Sequence, residues 1–144
     1  MDYSGCEDNQ RAAATLSEAL RGAVSAQFEL AVILEEEQED YELATAWFQK
    51  AALQGHTEAA FRAGLLCLRE DARREPEAVY WLSQAANAGH SSAQYNLGLV
   101  HEKGLGVKVD PDEALKWHRR AAHQGHVEAK EKLERLNEWL GLFS

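Results

Sequence analysis

The stretch AQYNLGLVHEKGLGVKVDPDEALKWHRRAAHQGHVEA, residues 93–129, decides the fold, because earlier parts of the chain repeat its skeleton in eroded form. Four segments share G-x-x-x-A: Gly22 to Ala26, Gly55 to Ala59, Gly89 to Ala93 and Gly125 to Ala129, with the glycines 33, 34 and 36 residues apart. A second signature, A-x-x-W-x-x-x-A-A-x-x-G, runs from Ala44 through Trp47 to Gly55. It recurs from Ala78 through Trp81 to Gly89, and from Ala114 through Trp117 to Gly125. Three matches in constant register mark a repeat architecture.

Each unit reads as two helices. Helix A starts near the shared alanine (AQFELAVILEEE, AAFRAGLLCLRE, AQYNLGLVHEKG), and helix B carries the tryptophan (YELATAWFQKAAL, PEAVYWLSQAANA, PDEALKWHRRAAHQ). Within helix B the first Ala, the Trp and the Ala-Ala pair share one face, with small residues where backbones approach closely. The glycine that follows suits a left-handed helix end. Asp110, Pro111 and Glu113 have the pattern of an N-cap, a first-turn proline and a capping-box acid. Pro76 is expected to open the second B helix in the same way. Such helix pairs cannot bury their faces alone, so they are expected to stack. The resulting boundaries are a disordered acidic tail (1–10), an N-terminal capping helix (11–22), repeats at 23–55, 56–89 and 90–125, and a C-terminal capping helix with an apolar tail (126–144).

Composition narrows the function classes. The net charge is −9, which disfavours sequence-independent binding to nucleic acid. The excess lies in residues 1–60, with 12 acidic against 3 basic side chains. Cys6 and Cys67 sit in unrelated contexts and show no disulfide or metal spacing. The acidic N-terminus lacks a secretory pattern, and no apolar run approaches the roughly 20 residues needed to span a bilayer. A cytoplasmic location is the expectation.

Ala93, Leu97, Gly98, Gly104, Gly106, Val107, Asp110, Ala114, Trp117, Ala121, Ala122, Gly125 and Ala129 together resemble a complete Sel-1-like repeat, a relative of the tetratricopeptide repeat. The resemblance extends over roughly residues 11–140. It implies an all-α, right-handed solenoid of three helix pairs flanked by single capping helices, with the A helices lining a concave groove. It also implies an adaptor-type, bacterial protein-interaction module. Units one and two depart from the pattern by lacking the Gly-x-Gly-Val loop. A cysteine-rich branch of the family is associated with β-lactam binding or hydrolysis. Its paired cysteines are missing here, so that enzymatic or small-ligand alternative is not carried over.

No catalytic constellation, cofactor motif or metal set stands out. His56, His90 and His126 follow the repeat glycine at equivalent positions and read as helix-start residues, while His118 and His123 fall on different sides of one helix. The groove offers the candidate partner-binding residues. Phe28, Phe61 and Tyr95 occupy one repeat position, and Val32, Leu65 and Leu99 the position one turn later. This stripe serves either a partner or the repeat's own core. Nearer the helix ends, Glu35 and Glu36, Leu68 and Arg69, and Glu102 and Lys103 change identity while the skeleton stays fixed, which leaves them free to encode a partner. The run Glu35, Glu36, Glu37, Glu39, Asp40, Glu42 either keeps the edge soluble or steers a basic segment of that partner. Trp139, Leu140, Leu142 and Phe143 form an apolar end suited to self-association.

Overall fold

The computed structural model describes residues 4–70 and 72–139. Among them the helices are α1 (Ser4–Leu20), α2 (Val24–Glu36), α3 (Tyr41–Leu53), α4 (Thr57–Glu70), α5 (Glu75–Asn87), α6 (Ser91–Lys103), α7 (Pro111–His123) and α8 (Val127–Trp139). A single 3-10 turn, Ala72–Arg74, leads into α5. Each helix packs on its sequence neighbours, so α2/α3, α4/α5 and α6/α7 form the three pairs and α1 and α8 flank them. The result is an all-α solenoid.

The A-A-x-x-G spacing has a concrete structural job. After α3, the Gly55 N–H donates to the Ala52 carbonyl at 2.9 Å and the His56 N–H donates to the Ala51 carbonyl at 3.2 Å. This closes the helix in a Schellman turn, with Gly55 at φ 92°. The same pair of bonds ends α5 at Ala85 and Ala86, and α7 at Ala121 and Ala122. The carbonyls are backbone groups that any residue would supply; the small side chains are needed because Ala51, Ala85, Ala86 and Ala121 are buried.

The core itself runs through Trp47, Trp81 and Trp117, which are 7–8% exposed. The residue after each tryptophan forms a second row: Phe48, Leu82 and His118. Opposite that row, at equivalent places on the A helices, stand Ala31, Gly64 and Gly98. A Cβ on Gly64 would lie 2.7 Å from Leu82 Cγ, and one on Gly98 would lie 2.5 Å from His118 Cε1. Helices A and B of a pair touch here, and only a minimal side chain fits.

The flanking helices break that rule with charge. In the register of the B helices, Arg11 and Glu18 of α1 replace the buried alanines at 44 and 51. In the register of the A helices, exposed Glu134 of α8 replaces Gly98.

Two boundaries differ from expectation. The helix expected from residue 11 begins at Ser4, inside the segment expected to be a disordered tail. Arg11 is tied to Glu29 of α2 at 2.8 Å, and the alanine-rich sequence that follows favours continuing the helix. Pro76 occupies the second position of α5 rather than the first, because the helix already starts at Glu75. At α7 the expected arrangement is present: Pro111 is the first residue, and Asp110 Oδ1 accepts the Glu113 N–H at 3.1 Å. Leu140, Leu142 and Phe143 and the side chain of Trp139, the expected self-association surface, lie outside the described residues. Among the described residues, no helix is long and apolar enough to cross a membrane.

Candidate functional site

The aromatic position on the A helices belongs to the joints between repeats. Phe28 stacks on His56 with ring centroids 4.4 Å apart, Phe61 on His90 at 4.5 Å, and Tyr95 on His126 at 4.8 Å. Each histidine in turn opens the next A helix. Nδ1 of His56 accepts the Ala59 N–H at 3.0 Å, Nδ1 of His90 the Ala93 N–H at 3.1 Å, and Nδ1 of His126 the Ala129 N–H at 3.4 Å. Because Nδ1 of His90 accepts, its Nε2 carries the proton and donates to Glu58 Oε2 at 2.6 Å. The histidines thus act as N-caps and as stacking partners, in keeping with their periodic placement. Phe28, Val32, Phe61 and Leu68 are half-buried and pack on the core, while Leu65, Tyr95 and Leu99 are also half-buried on the A helices.

The variable charges resolve into rungs between neighbouring A helices. Arg62 of α4 reaches Glu35 of α2 at 2.7 Å and Glu36 at 3.3 Å. Lys132 of α8 reaches Glu102 of α6 at 2.9 Å. Glu35 and Glu102 share one repeat position, and Arg62 and Lys132 share another. Between α4 and α6 those two positions hold Leu68 and Asn96, and Asn96 spends its amide on the Ser92 carbonyl at 2.8 Å. The middle of the A-helix face is therefore a neutral, partly apolar window between two ion-paired rungs. Arg69 lies over the Tyr41 ring at 4.3 Å, and Lys103 is exposed.

The acidic run is divided in its roles. Glu35 and Glu36 are held by Arg62, and Asp40 caps α3 by accepting the Leu43 N–H at 3.1 Å. Glu37, Glu39 and Glu42 stay exposed, and Glu37 adds to the negative field around Arg11.

At the other end of the face, an open cleft of about 500 Å3 separates α6 and α7 from α8. His118, Glu102, Tyr95, Leu115, Leu133 and Leu136 are among its walls. His118 Nε2 points to Glu102 Oε2 at 3.4 Å, while its buried Nδ1 has no partner. Burial pushes the imidazole down from its ordinary value, and the bond to Glu102 offsets this only in part. Burial alone would raise the Glu102 carboxyl, but Lys132 and His118 outweigh it and hold the group low.

The sequence reading did not single out Arg62 or Lys132, and it weighed His118 only beside His123 as a metal ligand. Its available signals were an opposite charge at equivalent positions one repeat on, and a polar residue breaking the Phe48–Leu82 row.

The histidine gives a pH prediction. Its folded value is depressed below the ordinary 6.5, so below that pH the unfolded chain binds the extra proton. Stability therefore falls as pH drops from 6.5 until the folded value is reached, with a slope of at most about 1.4 kcal/mol per pH unit. Glu102 loses its contribution only lower, once the pH falls through a folded value below 4.5. Urea titrations between these limits should show His118→Leu to have a flatter profile than the parent. Parallel profiles would contradict the assignment.

A solenoid of paired antiparallel helices with A-type and B-type faces places the chain among the helical-repeat scaffolds. The Sel1 repeat profile matches residues 24–56, 57–90 and 91–126, and the chain belongs to the Sel1 repeat family. Among solved structures it is similar to c5321, a protective antigen of uropathogenic Escherichia coli with an SLR fold (32% identity, TM-score 0.80). That match covers 87% of this chain but only 28% of the antigen, so the chain spans less than a third of that protein. It is also similar to a Sel1 repeat protein from Oxalobacter formigenes, with 37% identity, a TM-score of 0.70, and coverage of 84% of this chain and 95% of that one. No curated protein matches the chain.

Proposed function

We propose that the chain is a non-catalytic protein-interaction module that takes a peptide or domain of a partner along the face lined by its A helices. Adaptor, regulatory subunit and neutralising partner are all roles open to such a module. The observation that carries the reading is the neutral window formed by Leu65, Leu68 and Leu99 between the Arg62–Glu35 and Lys132–Glu102 rungs. Ion pairs across repeats hold the A helices in place, and the window leaves apolar side chains partly exposed for an anchor residue. Exposed Glu37 and Glu39 follow α2 and exposed Glu42 lies in the first turn of α3, and together they favour a partner with a basic segment.

The cleft at His118 supports a small-ligand reading less well. Its one buried titratable side chain faces Glu102, which is already matched by Lys132, and no Ser, Thr or Cys is among its described walls.

The test uses the partner captured by the parent protein. Leu68→Asp should abolish capture while leaving the helical circular dichroism unchanged. Neutralising Glu37, Glu39 and Glu42 to Gln should slow association several-fold at low salt and leave dissociation unaltered. Capture by Leu68→Asp at the parent level would overturn the reading.

A further inference from the structure

The chain has a net charge of −9, yet its three paired B helices carry no acid beyond their first turns. Residues 44–53 of α3 include one charged side chain, Lys50, and residues 78–87 of α5 include none. Residues 114–123 of α7 include Lys116, Arg119 and Arg120, together with His118 and His123. His118 is buried; the other four are exposed. Arg119 and Arg120 have no ion-pair partner among the described residues, and Lys116 meets only Glu113, at 3.6 Å. Arg120 instead lies over the Trp117 ring at 4.6 Å, which holds its guanidinium against the helix. With Gln94, Gln124 and His123, the two arginines border an open basin of about 480 Å3. The fold does not ask for these charges, since α5 has Tyr80, Ser83, Gln84 and Asn87 at the same positions.

Toward the other end of the row the same side turns apolar. Leu20 of α1 and Leu53 of α3 each stand two residues before a repeat glycine, and they are 68% and 73% exposed. Asn87 and His123 hold that position in α5 and α7. Leu16, at the position of Arg119, is also exposed. Singly, such leucines are ordinary; here they share repeat positions on successive B helices and form one apolar end. The row therefore runs from aliphatic at α1 and α3, through neutral and polar at α5, to cationic at α7.

We propose that this exposed side of the B helices is a second docking surface, separate from the A-helix face, and that it takes an acidic protein segment. The segment's carboxylates meet Arg119, Arg120 and His123, and its apolar side chains cover Leu20 and Leu53. Guanidinium groups present paired N–H donors in the geometry that a carboxylate accepts, and burial of the leucines adds affinity at the far end. A lipid surface would call for leucines and cations on one amphipathic helix, whereas here they stand on different helices. With an A-helix face that takes a basic segment, as proposed above, the chain would bridge two partners of opposite charge.

Panning a displayed library of random peptides on the immobilised full chain tests this. Selection should enrich peptides rich in Asp and Glu, with an aliphatic or aromatic residue toward one end. Retention of that class should fall at least about tenfold on Arg119→Glu/Arg120→Glu, because like charges across an interface repel. Leu20→Ser/Leu53→Ser should lower it less steeply. Lys103→Glu/Lys108→Glu makes the same change in net charge at other exposed positions and should retain the class, as should Leu68→Asp on the A-helix face. Unchanged retention on the arginine pair, or equal loss on both charge reversals, overturns the proposal, as does a selection with no acidic class. Two further measurements separate other occupants. Sedimentation with phosphatidylcholine–phosphatidylserine vesicles that Arg119→Glu/Arg120→Glu abolishes would assign the surface to lipid and overturn the protein partner. Concentration-dependent self-association abolished by the same pair would assign it to a second copy, with the same consequence.

Discussion

Trp81→Ala is expected to lower stability by about 3–5 kcal/mol, the range found for large buried aromatics cut to alanine. Trp81 is 7% exposed in the central pair, where α5 packs on both α4 and α6. The variant leaves a cavity at a joint that links the first repeat to the third. For a chain held by roughly 5–15 kcal/mol, most of the margin is gone. Thermal melting followed by circular dichroism should show a midpoint more than about 10 °C lower. Tyr80→Ala is the control. Tyr80 meets Trp81 edge-on at 4.9 Å but is half exposed, so its loss should cost less than about 1 kcal/mol. Equal melting of the two variants would contradict the placement of the tryptophan row.

Gly106→Ala is expected to cost about 2–4 kcal/mol, for two separable reasons. The residue has φ 72°, where a Cβ is strained whatever the space around it. The new Cβ also meets backbone atoms of Glu75 and Pro76, which cannot swing aside as a side chain can. Gly125→Ala separates the two effects. That glycine has φ 92° with nothing within 4 Å of the built Cβ, so only the conformational strain remains. Urea denaturation should show Gly106→Ala clearly below Gly125→Ala. If the two fall equally, the loop does not press on α5.

Particular residues show how far the sequence carried. Gly55, Gly89 and Gly125 with their alanine pairs were legible because the Schellman turn is a local device, complete within six residues. Asp110 and Pro111 were legible for the same reason. The tryptophan row followed from periodicity alone. Glu35 and Glu102 were read as free positions, yet each is bonded to a basic residue 27 or 30 residues later in the chain. Nothing local marks such a pair; the solenoid must bring α2 beside α4, and α6 beside α8, before the charges can meet. The start of α1 was missed because a polar composition argued for disorder, while contacts with α2 favour helix.

The repeat period by itself determined the number of helix pairs, the register of the core and the turn at each B-helix end, since these depend on backbone chemistry within one unit. Only the tertiary structure decided which side chains of the A-helix face meet one another. That question turns on distances between helices more than twenty residues apart. It assigned Phe28, Phe61 and Tyr95 to stacking on histidine caps, and Glu35 and Glu102 to rungs. Leu65, Leu68 and Leu99 are left as the neutral window, and His118 is left in a core position beside an open cleft.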